Sequence, residues 1–253
     1  MRSRERSIST PVRAPSTLRG WTFLLLLCAV TLWANASGQD SRWTVDVSTG
    51  TSGKIPNSLL IEQDGYGISV VSAVAWETRP WLPLHSFVDL AESYYAFRVT
   101  YRPAFSRIGY GLEFLHDKAY FLTGTDPDGI VDHFELSDGH NMLFGQVSYG
   151  VEVDELSELV LRAGAGPAIS NPSTIIRGKR MGTRTGEDMD SRYYVTGFGA
   201  QLSLQYRFDI TDWLALSNEV RYVYSWLRIP INGGRASTAF NSFHVELGLS
   251  FRP

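Results

Sequence analysis

Residues 240–251 read F-N-S-F-H-V-E-L-G-L-S-F, and apolar and polar side chains alternate through most of this stretch. Successive side chains of a β-strand point to opposite faces, so the pattern predicts a strand with one apolar face and one polar face. The apolar row is Phe243, Val245, Leu247, Leu249 and Phe251. A soluble antiparallel strand shows the same alternation, and the fold class therefore depends on whether the pattern recurs.

The period of two recurs in seven further segments. They lie at residues 45–49, 95–101, 108–114, 134–151, 159–165, 198–208 and 214–226. Together with residues 240–251 they give eight strands, and an aromatic content of 13% with 23 glycines suits a closed sheet. The sequence therefore predicts an all-β fold: an eight-stranded antiparallel transmembrane β-barrel with long extracellular loops.

The connections between these strands predict the topology. Connections after strands two, four and six are short, whereas those after strands one, three, five and seven are long. This is the pattern of tight periplasmic turns and larger extracellular loops. The remaining apolar run, residues 68–76, would make nine strands, so we expect it in the first outer loop, where Pro80 and Pro83 also oppose central pairing.

The N-terminal region predicts export. Residues 1–20 carry five arginines against one acidic residue, and residues 21–33 form an apolar run that ends before Ala34, Asn35 and Ala36. The run is shorter than the roughly 20 residues that span a bilayer as a helix. We therefore expect residues 1–36 to be a cleaved signal peptide and residues 37–253 to form one barrel domain in the bacterial outer membrane. The only cysteine, Cys28, would leave with the signal peptide, so the mature chain would form no disulfide.

Charge excludes one class of partner. Removing residues 1–36 takes away five of 23 basic residues and one of 26 acidic residues, which leaves a net charge near −7. Such a balance argues against nucleic acid as a partner. Inside the barrel we expect a charge-paired plug rather than a wide pore, because eight strands leave an interior that side chains just fill. The expected plug residues are Arg98, Glu113, Arg162, Gln201, Arg207, Glu219, Arg221 and Glu246.

Chemically suggestive residues cluster in one outer hairpin. Residues 113–120 read E-F-L-H-D-K-A-Y, residues 131–141 read V-D-H-F-E-L-S-D-G-H-N, and antiparallel pairing would bring these segments together near the outer surface. The candidate catalytic set is His116, Asp117, Glu135, Asp138 and His140. Such groups can bind a divalent metal or hold an acid and a base, although the spacing matches no compact metal motif. The alternative is a set of solvated loop side chains.

Three motifs carry a resemblance to a family. Residues 111–120 (G-L-E-F-L-H-D-K-A-Y), 134–141 (F-E-L-S-D-G-H-N) and 161–167 (L-R-A-G-A-G-P) resemble outer-membrane lipid A oxidase-like proteins. The resemblance implies oxygen-dependent oxidation of the proximal glucosamine of lipid A to an aminogluconate unit. Residues Glu246, Gly248 and Phe251 also resemble the C-terminal targeting signal of outer-membrane barrels, although Arg252 and Pro253 extend past the usual final aromatic residue.

A basic stretch in the third outer loop bears on partners. It contains Arg177, Lys179, Arg180 and Arg184. Guanidinium groups make charge-assisted contacts with phosphates, so we expect this stretch to bind lipid A or lipopolysaccharide of the outer leaflet. The alternative is a non-enzymatic barrel that stabilises the membrane or displays adhesive loops. Ser242 and His244, two positions apart on the lumen face, are read as interior packing rather than as a hydrolase pair, because the sequence identifies no acidic partner.

Overall fold

The computed structural model describes residues 42–77, 94–182 and 193–252. This part of the chain forms thirteen β-strands: β1 (Arg42–Lys54), β2 (Asn57–Gln63), β3 (Gly67–Val74), β4 (Trp76–Glu77), β5 (Tyr95–Arg102), β6 (Ile108–Phe121), β7 (Val131–Asp154), β8 (Ser157–Ser170), β9 (Ser173–Ile176), β10 (Lys179–Met181), β11 (Tyr194–Asp209), β12 (Leu214–Ile231) and β13 (Gly234–Phe251). Within these residues, no helix is long and apolar enough to cross a bilayer. The expected signal peptide, residues 1–36, lies outside the described residues.

Eight strands close into an antiparallel ring. The order around the ring is β13, β1, β5, β6, β7, β8, β11 and β12, and β12 pairs again with β13. These strands contain the eight predicted segments, so the predicted eight-stranded antiparallel barrel is confirmed. Residues 68–76 stay outside the ring, as expected, but they are not irregular: they form β3, which pairs with β2, and the first residue of β4, which pairs with the end of β6.

The short turns, the start of β1 and the end of β13 share one end of the barrel. The turns there are residues 103–107, 155–156 and 210–213. Val45 of β1 pairs with Phe251 of β13 at the same end. This arrangement matches the predicted periplasmic end. At the other end, the long connections after β1 and β8 carry β2 to β4 and β9 to β10.

The connection after the seventh barrel strand corrects the sequence prediction. We expected a long loop between residues 226 and 240, but β12 and β13 remain paired as far as Ile231 and Gly234. Only Asn232 and Gly233 separate them, and Gly233 has a φ of 72°, which glycine adopts without strain. The dipeptide Asn-Gly between apolar segments is a hairpin signal that was present in the sequence. This hairpin therefore continues beyond the expected strand ends.

The outer surface of the ring is apolar. Leu202 of β11 is 62% exposed, whereas its neighbour Gln201 is 3% exposed. The same exposed apolar side chains occur on β6, β12 and β13, for example Leu112, Val220 and Val245. An apolar exterior on a sheet without free edges is the surface that faces lipid. The chain is therefore an integral membrane β-barrel of the outer-membrane type.

The lumen holds the predicted plug of paired charges. Arg98 donates to Glu113 at 2.8 Å and to Glu219 at 2.9 Å, and Arg221 contacts Glu113 and donates to Gln201 at 2.9 Å. All eight predicted plug residues are buried: Arg98, Glu113, Arg162, Gln201, Arg207, Glu219, Arg221 and Glu246. Because unpaired buried charges are costly, this mutual pairing explains how a charged lumen is stable. It also fills the space that a diffusion pore would need.

An apolar core lies at the outer end of the barrel strands. Trp76 of β4 contacts the rings of Phe121, Phe134 and Phe240 edge-on, with ring centroids 4.9 to 6.0 Å apart. We call this core the apolar cap; it includes Leu59, Ile61, Trp76, Phe121, Phe134, Ile176, Leu227, Ile229 and Phe240. Residues of β2 and β9 belong to it, so the strands outside the ring contribute to its packing. A polar layer, formed by the buried side chains of Ser52, Asp117, His140 and His244, lies between the cap and the charged plug.

Candidate functional site

The predicted outer hairpin exists. Strands β6 and β7 pair from Ile108 with Tyr149 up to Tyr120 with Glu135, and the register places His116 opposite Asn141 and Asp117 opposite His140. The register shifts after Asp117, so a β-bulge interrupts the pairing there. Bulges redirect side chains and are common beside active sites. The pairing thus brings three of the predicted site residues, His116, Asp117 and His140, into one short section of the wall.

Alternation places His116 and Asp117 on opposite faces of this wall. His116 continues the lipid-facing row of Leu112 and Phe114, and its ring stacks on Tyr95 with centroids 4.7 Å apart. Its Nδ1 lies 2.6 Å from the Oδ1 of Asn141, and the side chain is only 4% exposed. Because an amide oxygen only accepts hydrogen bonds, Nδ1 of a neutral His116 carries the proton and Nε2 is the basic nitrogen.

Gly139 makes room for this pair. It has a φ of 120°, a conformation that L side chains rarely adopt. A Cβ at this position would lie 2.7 Å from Cε1 of His116 and 2.6 Å from Oδ1 of Asn141. Both the backbone conformation and the space therefore require glycine beside the imidazole.

On the lumen side, Asp117 forms a buried ion pair that the sequence reading missed. Lys54 Nζ lies 2.8 Å from Oδ2 of Asp117 and also donates to the Lys118 carbonyl at 2.7 Å. Ser52 Oγ and the Lys118 backbone N–H donate to Oδ1 of Asp117 at 2.7 and 2.8 Å. Ser52 and Lys54 continue the inward row of β1 at a period of two, so extending the predicted strand by five residues would have placed them here.

His140 also faces the lumen, under the apolar cap. Its Nδ1 lies 3.3 Å from Ser170 Oγ and its Nε2 lies 3.1 Å from Ser225 Oγ, while the ring meets Phe240 edge-on at 5.5 Å. Both ring nitrogens therefore have hydroxyl partners from β8 and β12. These contacts hold the imidazole in a fixed position directly opposite Asp117 in the strand pairing.

A second hydrogen-bonded chain lies on the same side of the lumen. Tyr94 donates to Oε1 of Glu246 at 2.6 Å, and its hydroxyl lies 2.8 Å from Nδ1 of His244. Nε2 of His244 lies 2.8 Å from Ser242 Oγ. Sequence reasoning found no acidic partner for Ser242 and His244 because Tyr94, which links them to Glu246, lies about 150 positions away in the chain. All four side chains are buried, which fits the expected role in interior packing.

The other two predicted catalytic residues stand apart from this group. Glu135 is buried further along β7, opposite Tyr120 on one side and Ser173 on the other, and its Oε1 lies 3.6 Å from His133 Nε2. Asp138 belongs to β7, but its side chain lies outside the described residues. Among the described side chains, no group of three His, Cys, Asp or Glu is placed to hold a metal ion.

The predicted substrate-binding stretch joins two hairpins. Arg177 donates to Gln63 Oε1 at 3.0 Å and to Ser69 Oγ at 2.6 Å, and its guanidinium lies 4.5 Å from the Tyr66 ring centroid. Lys179 Nζ lies 5.3 Å from the same ring. Arg180 is exposed, and Arg184 lies outside the described residues. Arg177 thus fastens the β9–β10 hairpin to the β2–β3 hairpin, a structural role beside the expected one.

A cavity of about 260 Å³ opens at the periplasmic end, far from this hairpin. Glu158 divides its two carboxylate oxygens between Arg102, at 2.5 Å, and Arg207, at 2.9 Å. Arg252 donates to Asp209 at 2.7 Å in the same place. Arg102, Arg207, Glu158, Asp209 and Arg252 are thus paired with one another, and the carboxylates of Glu152, Asp154 and Glu155 also line the cavity.

Comparisons with known proteins give likenesses of fold. No family model and no curated protein matches the sequence. Among solved structures, Neisserial surface protein A is 11% identical with a TM-score of 0.42, covering 85% of this chain and 99% of that one. Outer membrane protein OprG from Pseudomonas aeruginosa is 9% identical with a TM-score of 0.47, covering 85% and 98%. Outer membrane protein AlkL is 13% identical with a TM-score of 0.47, covering 86% and 92%.

Proposed function

We propose that this integral barrel resides in the bacterial outer membrane and oxidises the proximal glucosamine of outer-leaflet lipid A. The observation that carries the proposal is the position of His116. Eight residue steps separate it from Ile108 near the periplasmic turn, which is about 27 Å of strand and a rise of about 20 Å at a tilt of about 40°. In an apolar band about 25 Å tall, His116 therefore lies at the outer-leaflet level.

The proposed reaction defines what the site must do. On a lipid A whose proximal glucosamine carries a free C1 hydroxyl rather than a C1 phosphate, oxidation at C1 removes the hydroxyl proton and the C1 hydrogen with two electrons, and dioxygen accepts them to form hydrogen peroxide. Water then opens the resulting lactone to the aminogluconate, so lipid A gains one oxygen overall. The hydroxyl proton needs a base, and the proposal gives that role to the imidazole of His116, which lies 2.6 Å from Asn141 Oδ1 and must be uncovered for the substrate because it is only 4% exposed.

The other site residues have supporting roles in the proposal. The Lys54–Asp117 pair holds the bulge behind His116, and His140 is fixed beside it by two hydroxyl groups. Glu135 and Asp138 belong to the proposed set as carboxylates of the same hairpin that can transfer protons or bind a metal. Lys179 and the exposed Arg180 are the proposed contacts to lipid A phosphates, with Arg177 as the residue that holds their hairpin. Arg184 remains part of this expectation.

Mass spectrometry of lipid A tests the proposal. Cells that carry the parental protein should yield lipid A with one added oxygen confined to the sugar backbone, and cells with His116→Ala should yield unmodified lipid A. The matched control is His133→Ala, which removes a histidine of the same hairpin that is 36% exposed in its side chain. Both variants must insert as heat-modifiable barrels. The enzymatic proposal would be wrong if cells with the parental protein, grown in oxygenated medium that contains divalent metal, yield only unmodified lipid A.

A non-enzymatic barrel that stabilises the membrane is the second candidate. The observation that favours it is the filling of the lumen, where the apolar cap and the charged plug bury the polar layer between them. A purely structural barrel needs no path for a substrate into that layer. Deleting the protein should then raise outer-membrane permeability to large antibiotics, and His116→Ala should restore the barrier as well as the parental protein does.

A further inference from the structure

One polar side chain interrupts the lipid-facing row of β12. The outward residues of this strand from its periplasmic end are Leu214, Leu216, Asn218, Val220, Tyr222, Tyr224 and Trp226. Asn218 is exposed on this face, and its neighbours across the sheet are Tyr206 of β11 and Leu247 of β13. Within the described residues, its side-chain amide has no hydrogen-bond partner. The wall therefore presents an unsatisfied amide among apolar and aromatic side chains.

The depth of Asn218 keeps its amide away from water. Trp213, in the periplasmic turn, stacks on Phe251 and is 56% exposed, as expected for the aromatic girdle at the membrane interface. Four residue steps lead from Leu214 to Asn218, about 13 Å of strand and a rise of about 10 Å at a tilt of about 40°. In an apolar band about 25 Å tall, Asn218 lies near the middle. An unsatisfied amide is costly at that level.

Two other asparagines on the outward rows of the ring have partners within the chain. Asn241 of β13 accepts a hydrogen bond from the Tyr222 hydroxyl at 2.6 Å, and Asn141 of β7 is paired with His116. Asn241 also pairs with Tyr224, ten residue steps above Leu214, which is a rise of about 25 Å and reaches the outer edge of the apolar band. Asn218 has no such partner and is too deep for its short side chain to reach the interface.

We infer that Asn218 joins two copies of this barrel in the membrane, with Oδ1 of each asparagine accepting a hydrogen bond from Nδ2 of the other. The partner is a second copy because an amide carries a donor and an acceptor side by side and is its own complement. Copies inserted in the same orientation are related by a twofold axis along the membrane normal. A residue on that axis meets its own copy at the same depth.

The surface around Asn218 suits this contact. Leu216, Val220 and Leu247 are 44%, 54% and 55% exposed and surround the amide with apolar side chains that can pack against the same residues of the copy. Polar side chains within such packing hold membrane-spanning segments together. In the ring, three strands separate β12 from β6 in either direction. The dimer therefore leaves the wall of His116 in contact with lipid, and the inference does not depend on the proposed oxidation.

Energy transfer between labelled barrels in phosphatidylcholine vesicles tests the inference. Cys28, the only cysteine, is replaced by serine, and Asp212→Cys in the exposed turn below Asn218 carries a donor or an acceptor dye. Barrels without further changes should show transfer that rises with the protein-to-lipid ratio as a dimer does. Asn218→Leu should weaken association about tenfold, the loss expected for paired hydrogen bonds in a membrane. Asn218→Gln keeps the amide and should retain most of the association.

Cysteine cross-linking provides the matched control. Leu112 of β6 is 64% exposed and also lies four residue steps above the start of its strand, but on the opposite wall. In oxidised outer membranes, Asn218→Cys should give a disulfide-linked dimer of the barrel and Leu112→Cys should remain monomeric. Heat-modifiability on gels verifies insertion of every variant. Equal energy transfer by Asn218→Leu and the barrel that retains Asn218 would overturn the inference, and so would equal cross-linking at the two positions or cross-linking of Asn218→Cys to other proteins alone.

Discussion

Lys54 of β1 and Asp117 of β6 form an ion pair across β5, because β5 lies between their strands in the ring. Nζ and Oδ2 are 2.8 Å apart, and neither side chain is more than 2% exposed. Ser52 and the Lys118 backbone complete the hydrogen bonds of the two groups. The pair therefore links the first strand to the bulged section of the proposed site, and a buried charge pair of this kind responds strongly to the loss of one member.

Lys54→Met should lower the free energy of unfolding by about 3–5 kcal/mol, because it leaves the Asp117 carboxylate buried without its cation. The double variant Lys54→Met with Asp117→Asn should recover at least half of that loss, since the uncompensated charge is gone. Urea titrations followed by heat-modifiability on gels measure both values. Equal stability of the single and double variants would show that the unpaired Asp117 charge does not cause the loss of stability in Lys54→Met.

Leu202→Arg should destabilise the inserted barrel by about 2–4 kcal/mol, because it places a charge near the middle of the lipid-facing row of β11. Ile68→Arg is the control: Ile68 is 68% exposed and apolar, but it lies on β3 outside the ring. That substitution should change stability by no more than about 0.5 kcal/mol. Folding titrations into lipid vesicles provide the comparison, and similar costs at the two positions would contradict the assigned bilayer level.

The barrel could be read from the sequence because its strands obey a local rule. Alternation alone predicted that Leu202 faces the lipid and that Gln201 faces the lumen, and the structure places both side chains in this way. Alternation does not predict which residues meet across the lumen. Gln201 forms hydrogen bonds with Glu113 and Arg221 of other strands. Gln201→Ala should therefore lower the free energy of unfolding more than the truncation of an isolated polar side chain does. Such contacts depend on ring closure and register, which join residues far apart in the chain.

The candidate site was predictable only in part for the same reason. The position of Asp117 opposite His140 follows from the pairing of two adjacent segments. Lys54, in contrast, reaches Asp117 only after β1 closes the ring. The long loop expected before β13 was wrong because the Asn232–Gly233 turn lets β12 and β13 stay paired up to Ile231 and Gly234. The pairing of neighbouring segments could therefore be predicted from the sequence, whereas contacts between distant strands required the structure.

Gly139→Ala should destabilise the barrel by about 1–3 kcal/mol and, if the proposed function holds, abolish lipid A oxidation. The φ of 120° is strained for any L side chain, and the new methyl group would push against His116 and Asn141. Gly145→Ala on the same strand is the control, because the nearest atom to its Cβ would be 3.9 Å away. Chemical denaturation measures the difference, and equal stability of the two variants would contradict the tight packing around His116.

Arg177→Ala should loosen the outer hairpins without affecting the barrel. Arg177 connects the β9–β10 hairpin to β2 and β3 through Gln63 and Ser69, and hydrogen bonds from a charged group are among the stronger ones. We expect amide hydrogen exchange in residues 57–74 to accelerate about tenfold, while β11 and β12 exchange as in the parental protein. Arg180→Ala, an exposed neighbour, should leave both regions unchanged. If exchange in residues 57–74 stays at the parental rate, Arg177 does not hold the two hairpins together. Phosphate binding would then be the better explanation of its role.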